Sequence, residues 1–293
     1  MKLRGFCLSV LSVLILPFLA SDAFADTLGS ASSFAVLGEA GVTNAGVGTL
    51  GATIITGDLG GSQGTPAVTG FPPGIVNGTI FTTGAPNQAF SDLTTAYNTL
   101  AGLTPNATLL PDLGGLTLSP GVYAVPAGTT NLSGVLTLDD KGVGGSRFVF
   151  QLSSTLITSP NSSIDVSKLH LNDQVFFVVG SAATLGDNSD FIGNILALDQ
   201  IAFDPGATDL CGRALSKTAS VTFAGQNPTT GEQNEVSIGC SAVTIGGGGN
   251  GGGSGSGGGL GGGTTGVAEP STLSLLLGGL ISFGFLSKRL LLS

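Results

Sequence analysis

The sequence predicts a mostly β protein built as a solenoid of stacked coils, with one helix lying along it, and three observations predict it. Glycine is abundant, with 50 of 293 residues, while charged residues make up only 9% and apolar residues 41%. That composition suits short strands and tight turns rather than amphipathic helices, and it is too apolar for a disordered chain. Second, short strand-like segments recur in irregular pairs. Third, the period changes to that of a helix at a single place.

The first strands lie in SFAVLG, GVTNAG, ATIITGDLG and, after GFPPG, IVNGTI, between Leu28 and Phe81. Phe90, Leu93, Tyr97 and Leu100 then recur at three- and four-residue spacing, which predicts a helix over about 87–101. Asn87 can cap its start, and Gly102 with Pro105 closes its end. Strands resume at Leu116. GLTL at Gly115 recurs as GVLTL at Gly134, and FQLSSTL at Phe150 matches FVVGSAA at Phe177. GNILALDQIAF at Gly193 matches GRALSKTASVTF at Gly212 with one residue inserted. Units of roughly 20–30 residues cannot bury their inward Leu, Ile, Val and Phe alone, so they stack and share one core. A β-sandwich is the competing architecture on the pattern alone.

The ends read differently. Lys2 and Arg4 precede an apolar run, Phe6 to Leu19, and Ala23-Phe24-Ala25 forms a small-x-small cleavage site, so residues 1–25 are expected to be a secretory signal peptide. The body is expected over 26–245. Cys7 leaves with the signal, and Cys211 and Cys240 remain as an even pair in an exported chain. Their disulfide would close a loop of about 30 residues, worth roughly 3–4 kcal/mol in the chain-entropy model. Residues 246–266 are a glycine-rich flexible linker with a root-mean-square reach of roughly 23–27 Å. In 267–293 an apolar segment, Leu273 to Leu286, falls short of the ~20 residues of a usual transmembrane helix. Lys288 and Arg289 follow it.

Charge and chemistry exclude several classes. Eighteen acidic residues stand against nine basic ones, a formal net charge of −9. The body holds Lys141, Arg147, Lys168, Arg213 and Lys217 without a cluster, which argues against nucleic acid as a partner. His170, the only histidine, sits in KLHLND with no nucleophile motif beside it. Asp187 with Asp190, or Asp139 with Asp140, could pair as acids, but such residues in Gly/Asn/Asp turns commonly serve the turn itself. Two cysteines and one histidine far apart make no zinc set. The reading is therefore a non-enzyme with no cofactor and no metal.

A surface remains. A small-x-Thr pattern recurs at Gly51-Ala52-Thr53, Ala182-Ala183-Thr184 and Gly206-Ala207-Thr208, with similar outward positions at Ser154 and Thr155, or Thr218 and Thr222. Threonine presents a methyl and a hydroxyl on a stiff β-branched stem. Stacked coils repeat that unit every ~4.8 Å, close to one lattice repeat of ice. The candidate contact face is accordingly Thr53, Ser154, Thr155, Ala182, Thr184, Ala207 and Thr208.

The body also resembles the microbial ice-binding protein family. LGSASSFAVL, ITGDLG, VTGFPPGIV, DLTTAYN, LSPGVY, LTLD, FVFQLSSTL, SAATLG, FIGNILAL and GRAL carry the match, in the family's order and over nearly the whole body. The resemblance implies a discontinuous right-handed β-solenoid of triangular cross-section with a long helix packed along it. It implies adsorption of a monomer to the surface of an ice crystal, with no reaction and no cofactor. A cell-surface adhesin or biofilm-matrix protein on the same scaffold is the alternative. The tail resembles a PEP-CTERM sorting signal, with Ala268 in place of the first proline and Glu269, Pro270 and Ser271 matching. That resemblance implies an exosortase partner and a secreted or cell-surface protein whose C-terminal segment meets the membrane.

Overall fold

The strand pairings are parallel, and most of them run between successive turns of one coil. The structure, a computed structural model, describes residues 27–46, 53–61, 67–83, 85, 87–126 and 128–238. The expected signal peptide, Cys240, the glycine linker and the sorting segment lie outside the described residues. Among the described residues the strands form three parallel sheets of nine, seven and eight strands, called I, II and III below.

One coil visits each sheet once. Arg147–Leu152 lies in sheet I, Leu156–Thr158 in sheet II and Ser163–Lys168 in sheet III. The next coil places Gln174–Val179, Ala183–Leu185 and Asp190–Phe191 against them. Such a circuit is a three-sided prism whose sides are the sheets. Its corners are turns, and Asn161 and Asn188 (φ 59° and 52°) take the left-handed conformation that asparagine tolerates at two of them.

The repeats found in the sequence are the registers of the sheets. Phe150 faces Phe177, Leu156 faces Ala183, and Thr117 faces Thr137. Asn194 faces Arg213 and Ile201 faces Val221, so the inserted residue sits at the corner between sheets I and II.

The stack does not follow the chain. The last described coil, Arg213–Ser216, Val221–Phe223 and Glu235–Ser237, is continued by Phe34–Gly38, Val42–Asn44 and Ile54–Thr56 from the beginning of the chain. The solenoid is therefore discontinuous. Arg213 holds the junction: its guanidinium donates to the Ser32 carbonyl through Nε (2.9 Å) and Nη2 (2.7 Å), and to Asn194 Oδ1 through Nη1 (2.8 Å).

Two cores follow. Inside the prism, inward residues from all three sheets form the larger cluster, including ladders of aromatics. Phe150 and Phe177 stack with centroids 4.6 Å apart at 7°, and Phe203 stacks on Phe223 at 4.7 Å. The helix Asn87–Ala101 makes the second core outside sheet I, where Ala89, Leu93, Ala96 and Leu100 meet Leu37, Val149, Phe176, Val178, Leu196 and Leu215. Sheet I is thus apolar on both faces, which explains why RFVFQL and QVFFVV read as continuous apolar runs. The helix spans the predicted residues, and Gln151 Nε2 caps its end on the Leu100 and Leu103 carbonyls, each at 2.8 Å.

Cys211 is disulfide-bonded. No helix among the described residues is long and apolar enough to cross a membrane.

Candidate functional site

With sheet I covered by the helix, sheets II and III are the bare sides of the prism, and their outward residues differ in kind. Sheet II strands are short, and their pattern is in, out, in. Leu156 and Thr158 are buried around Ile157, Ala183 and Leu185 around Thr184, Ile201 and Phe203 around Ala202, and Val221 and Phe223 around Thr222. Strand periodicity sends each middle residue to solvent.

These middle residues form one unbroken column. Asn131 faces Ile157, Ile157 faces Thr184, Thr184 faces Ala202, and Ala202 faces Thr222. Thr222 faces Thr43, and Thr43 faces Thr69. Seven positions at the usual strand spacing make a column about 29 Å long. Thr155, Ala182, Gln200, Ser220, Gly41 and Ala67 each lend a carbonyl to the neighbouring strand just before its outward residue, and the first four of them form a second solvent-reaching row beside the column, while Gly41 and Ala67 are buried. Neither row contains a charged side chain. Thr69 Oγ1 donates to Thr43 Oγ1 at 3.2 Å, and Gln200 Nε2 donates to Thr222 Oγ1 at 3.1 Å, so neighbouring coils hold each other's hydroxyls. At the margin Asp204 is pushed above the usual carboxylate pKa by burial and by the charge of Asp187.

Sheet III is neither uncharged nor regular. Its outward row runs Val135, Ser163, Asp190, Thr208, Glu235, Ile54 and Ile75. Asp139 and Asp165 flank it, and the register shifts between Thr137 and Asp139. The flat, uncharged side is sheet II.

The seven residues expected to share one face do not all share it. Thr184 stands in the central column, with Thr155 and Ala182 in the row beside it and Ser154 at the corner leading in. Thr208 belongs to sheet III, opposite Asp190 and Glu235. Thr53 and Ala207 are fully buried: the Thr53 hydroxyl donates to Asn44 Oδ1 at 3.0 Å, and Ala207 fills the core. The small-x-Thr spacing is blind to which sheet the Thr begins or centres, and at these two places the chain is turning a corner inward. Thr43, Thr69, Ala202, Ile157 and Asn131 also stand in the outward column of sheet II. Val-Thr in VTN, VTG and VTF is the signal that unites Thr43, Thr69 and Thr222: a threonine after an inward β-branched residue.

Asp139 and Asp140 brace the turn that follows their strand, and Asp190 bonds across sheet III. Asp139 accepts from Lys141 (3.0 Å) and Lys168 (3.4 Å), Asp140 accepts from the Gly142 amide and meets His170, and Asp190 accepts from Thr208 (3.3 Å). Among the described residues, one group has metal-ligating atoms close together, within 4.8 Å: Asp140, His170 and Asp173, at a corner joining sheets III and I.

A three-sided parallel solenoid with a helix along one side and a bare, uncharged threonine-bearing side defines a class of scaffold suited to surface contact. The chain belongs to the Ice-binding-like family, which matches residues 36–229. It is 49% identical over 215 residues to an ice-binding protein of Nostoc sp. (strain HG1), covering 73% of this chain and 74% of that protein. It is 32% identical over 207 residues to an ice-binding protein of Flavobacterium frigoris (strain PS1), covering 66% and 72%. The crystal structure of an ice-binding protein from the Antarctic ascomycete Antarctomyces psychrotrophicus superposes with a TM-score of 0.60 at 36% identity, over 72% of this chain and 97% of that one.

Proposed function

We propose that this chain is an exported, non-enzymatic protein that adsorbs to ice through the outward side of sheet II. The observation that carries the reading is the column Asn131, Ile157, Thr184, Ala202, Thr222, Thr43 and Thr69, in continuous register and without a charge. Charged groups hold their hydration water strongly and would compete with a lattice for it. Methyl and hydroxyl groups on stiff stems leave the water between them free to be ordered. Phe203, Phe223, Leu185 and Leu156 lie beneath and fix the strands, so little freedom is lost on adsorption. Many weak contacts then add, and the ice front curves between adsorbed molecules until growth stalls.

The N-terminal signal and the Ala-x-Ala site support export, and the glycine linker with Glu269, Pro270, Lys288 and Arg289 supports a sorted, cell-surface destination through an exosortase-type protease. The disulfide at Cys211, with Cys240 as its expected partner, fits an oxidising compartment. The test is to label the purified protein fluorescently and grow an ice hemisphere through its solution. Incorporation into the ice with faceted crystal shapes is expected. Exclusion from the ice with round crystals would overturn the reading.

A further inference from the structure

Two successive coils meet at a corner that sheet II does not use. Asp140 follows the sheet III strand Val135–Asp139, and His170 and Asp173 lie in the same turn one coil further on, between Ser163–Lys168 and Gln174–Val179. The His170 Nδ1 atom meets Asp140 Oδ2, and one ligating atom from each of Asp140, His170 and Asp173 lies within 4.8 Å of the others. Two carboxylates this close favour a proton or a cation near them. Lys141 and Lys168 both pair with Asp139, so the charge facing Asp140 and Asp173 comes from the His170 imidazolium or from a bound cation in its place.

Backbone donors orient the carboxyls. Asp140 Oδ1 accepts from the Gly142 amide at 2.7 Å, Asp173 Oδ1 from the Ser146 amide at 2.7 Å, and Asp173 Oδ2 from the His170 amide at 2.8 Å. Such outer hydrogen bonds are what hold ligands in a metal site. The side chain of Asp140 is 1% exposed and that of His170 is 53% exposed, so the cluster has a closed inner wall and a side open to water.

We propose that Asp140, His170 and Asp173 bind a first-row divalent cation of the zinc class, stapling one coil of the solenoid to the next. The imidazole argues for zinc, cobalt or nickel rather than calcium, which prefers oxygen alone. Three protein ligands leave a position for water on the open side, in a four-coordinate site. The sequence hides this set because Asp140 lies about thirty residues before His170 and Asp173 and meets them only through the coil repeat.

The experiment uses the purified full-length chain, stripped with EDTA and titrated with cobalt chloride and zinc chloride. Saturable 1:1 binding is expected, with the visible d–d absorption of four-coordinate cobalt, its displacement by zinc, and a rise of several degrees in Tm. His170→Gln and Asp173→Asn, both in solvent-facing turns, should keep the circular dichroism spectrum and weaken cobalt binding at least tenfold. Absence of saturation below millimolar metal in the folded chain would overturn the proposal. So would undiminished binding by His170→Gln.

Discussion

Thr43 stands directly opposite Thr222, although one lies near the beginning of the chain and the other near the end of the described residues. The pairing carries the uncharged column of sheet II across the place where the solenoid is interrupted, and it adds Thr43 and Thr69 to the face. The N-terminal segment therefore extends the uncharged column of sheet II and is not only a cap on the stack.

That continuity depends on the Arg213 junction. Removing the guanidinium leaves the Ser32 carbonyl and Asn194 Oδ1 without their donor, and hydrogen bonds to a charged group are worth about 1.5–3 kcal/mol each at most. Arg213→Ala is expected to lower unfolding free energy by about 2–3 kcal/mol in urea titrations. Arg213→Lys should recover less than half of the loss, because a single ammonium cannot reproduce the fork.

The aromatic ladder should dominate the core's sensitivity to truncation. Phe177 is fully buried between Phe150 and Phe191, at 4.6 Å and 4.7 Å between ring centroids. Phe177→Ala is expected to cost about 3–5 kcal/mol, and Phe177→Leu clearly less, in thermal or denaturant unfolding.

One acid faces the wrong way. Asp209 is fully buried in the sheet III strand Thr208–Leu210, and neither carboxyl oxygen makes a hydrogen bond of good geometry. Burial pushes its pKa well above the ordinary carboxylate value, against the smaller opposing effects of the nearby Gly193 backbone and of Arg213. A raised carboxyl pKa means that the folded state holds the proton more tightly than the unfolded chain. Its contribution is therefore greatest below about pH 3.9 and is lost as pH rises above that. Asp209→Asn should raise Tm by several degrees at pH 7, and the gain should vanish near pH 3.5, as scanning calorimetry across that range would record.

Much of this architecture was legible in the sequence because a solenoid repeats its own contacts. Matching FQLSSTL with FVVGSAA, or GNILAL with GRALSK, amounts to aligning two coils, and the registers follow. The helix was legible for a different reason, since its apolar stripe at Leu93 and Leu100 has no competing period. The interruption left no such mark. Nothing local to Phe34 or Ala214 says that Val36 pairs with Ala214, because any coil with an apolar inner face can stack on any other.

The outward side of sheet II was legible only in part. Thr184, Thr155 and Ala182 lie on it, whereas Thr53 and Ala207 are interior and Thr208 lies on the acidic side of sheet III. A tripeptide pattern does not encode which of three sheets a strand joins. What decides it is the count of residues from the preceding corner, and the irregular coil lengths obscure that count.

On the proposed reading, ice meets sheet II and no other side of the prism. The direct measurement is thermal hysteresis and ice-hemisphere incorporation for Thr184→Tyr, Thr222→Tyr and Thr208→Tyr beside the unaltered protein, with each variant shown to be folded by circular dichroism. A bulky ring on sheet II should hold the flat face off the lattice and reduce hysteresis at least several-fold in the first two, while Thr208→Tyr on sheet III stays within error of the unaltered protein. Loss of activity in Thr208→Tyr with full activity in Thr184→Tyr and Thr222→Tyr would contradict the account.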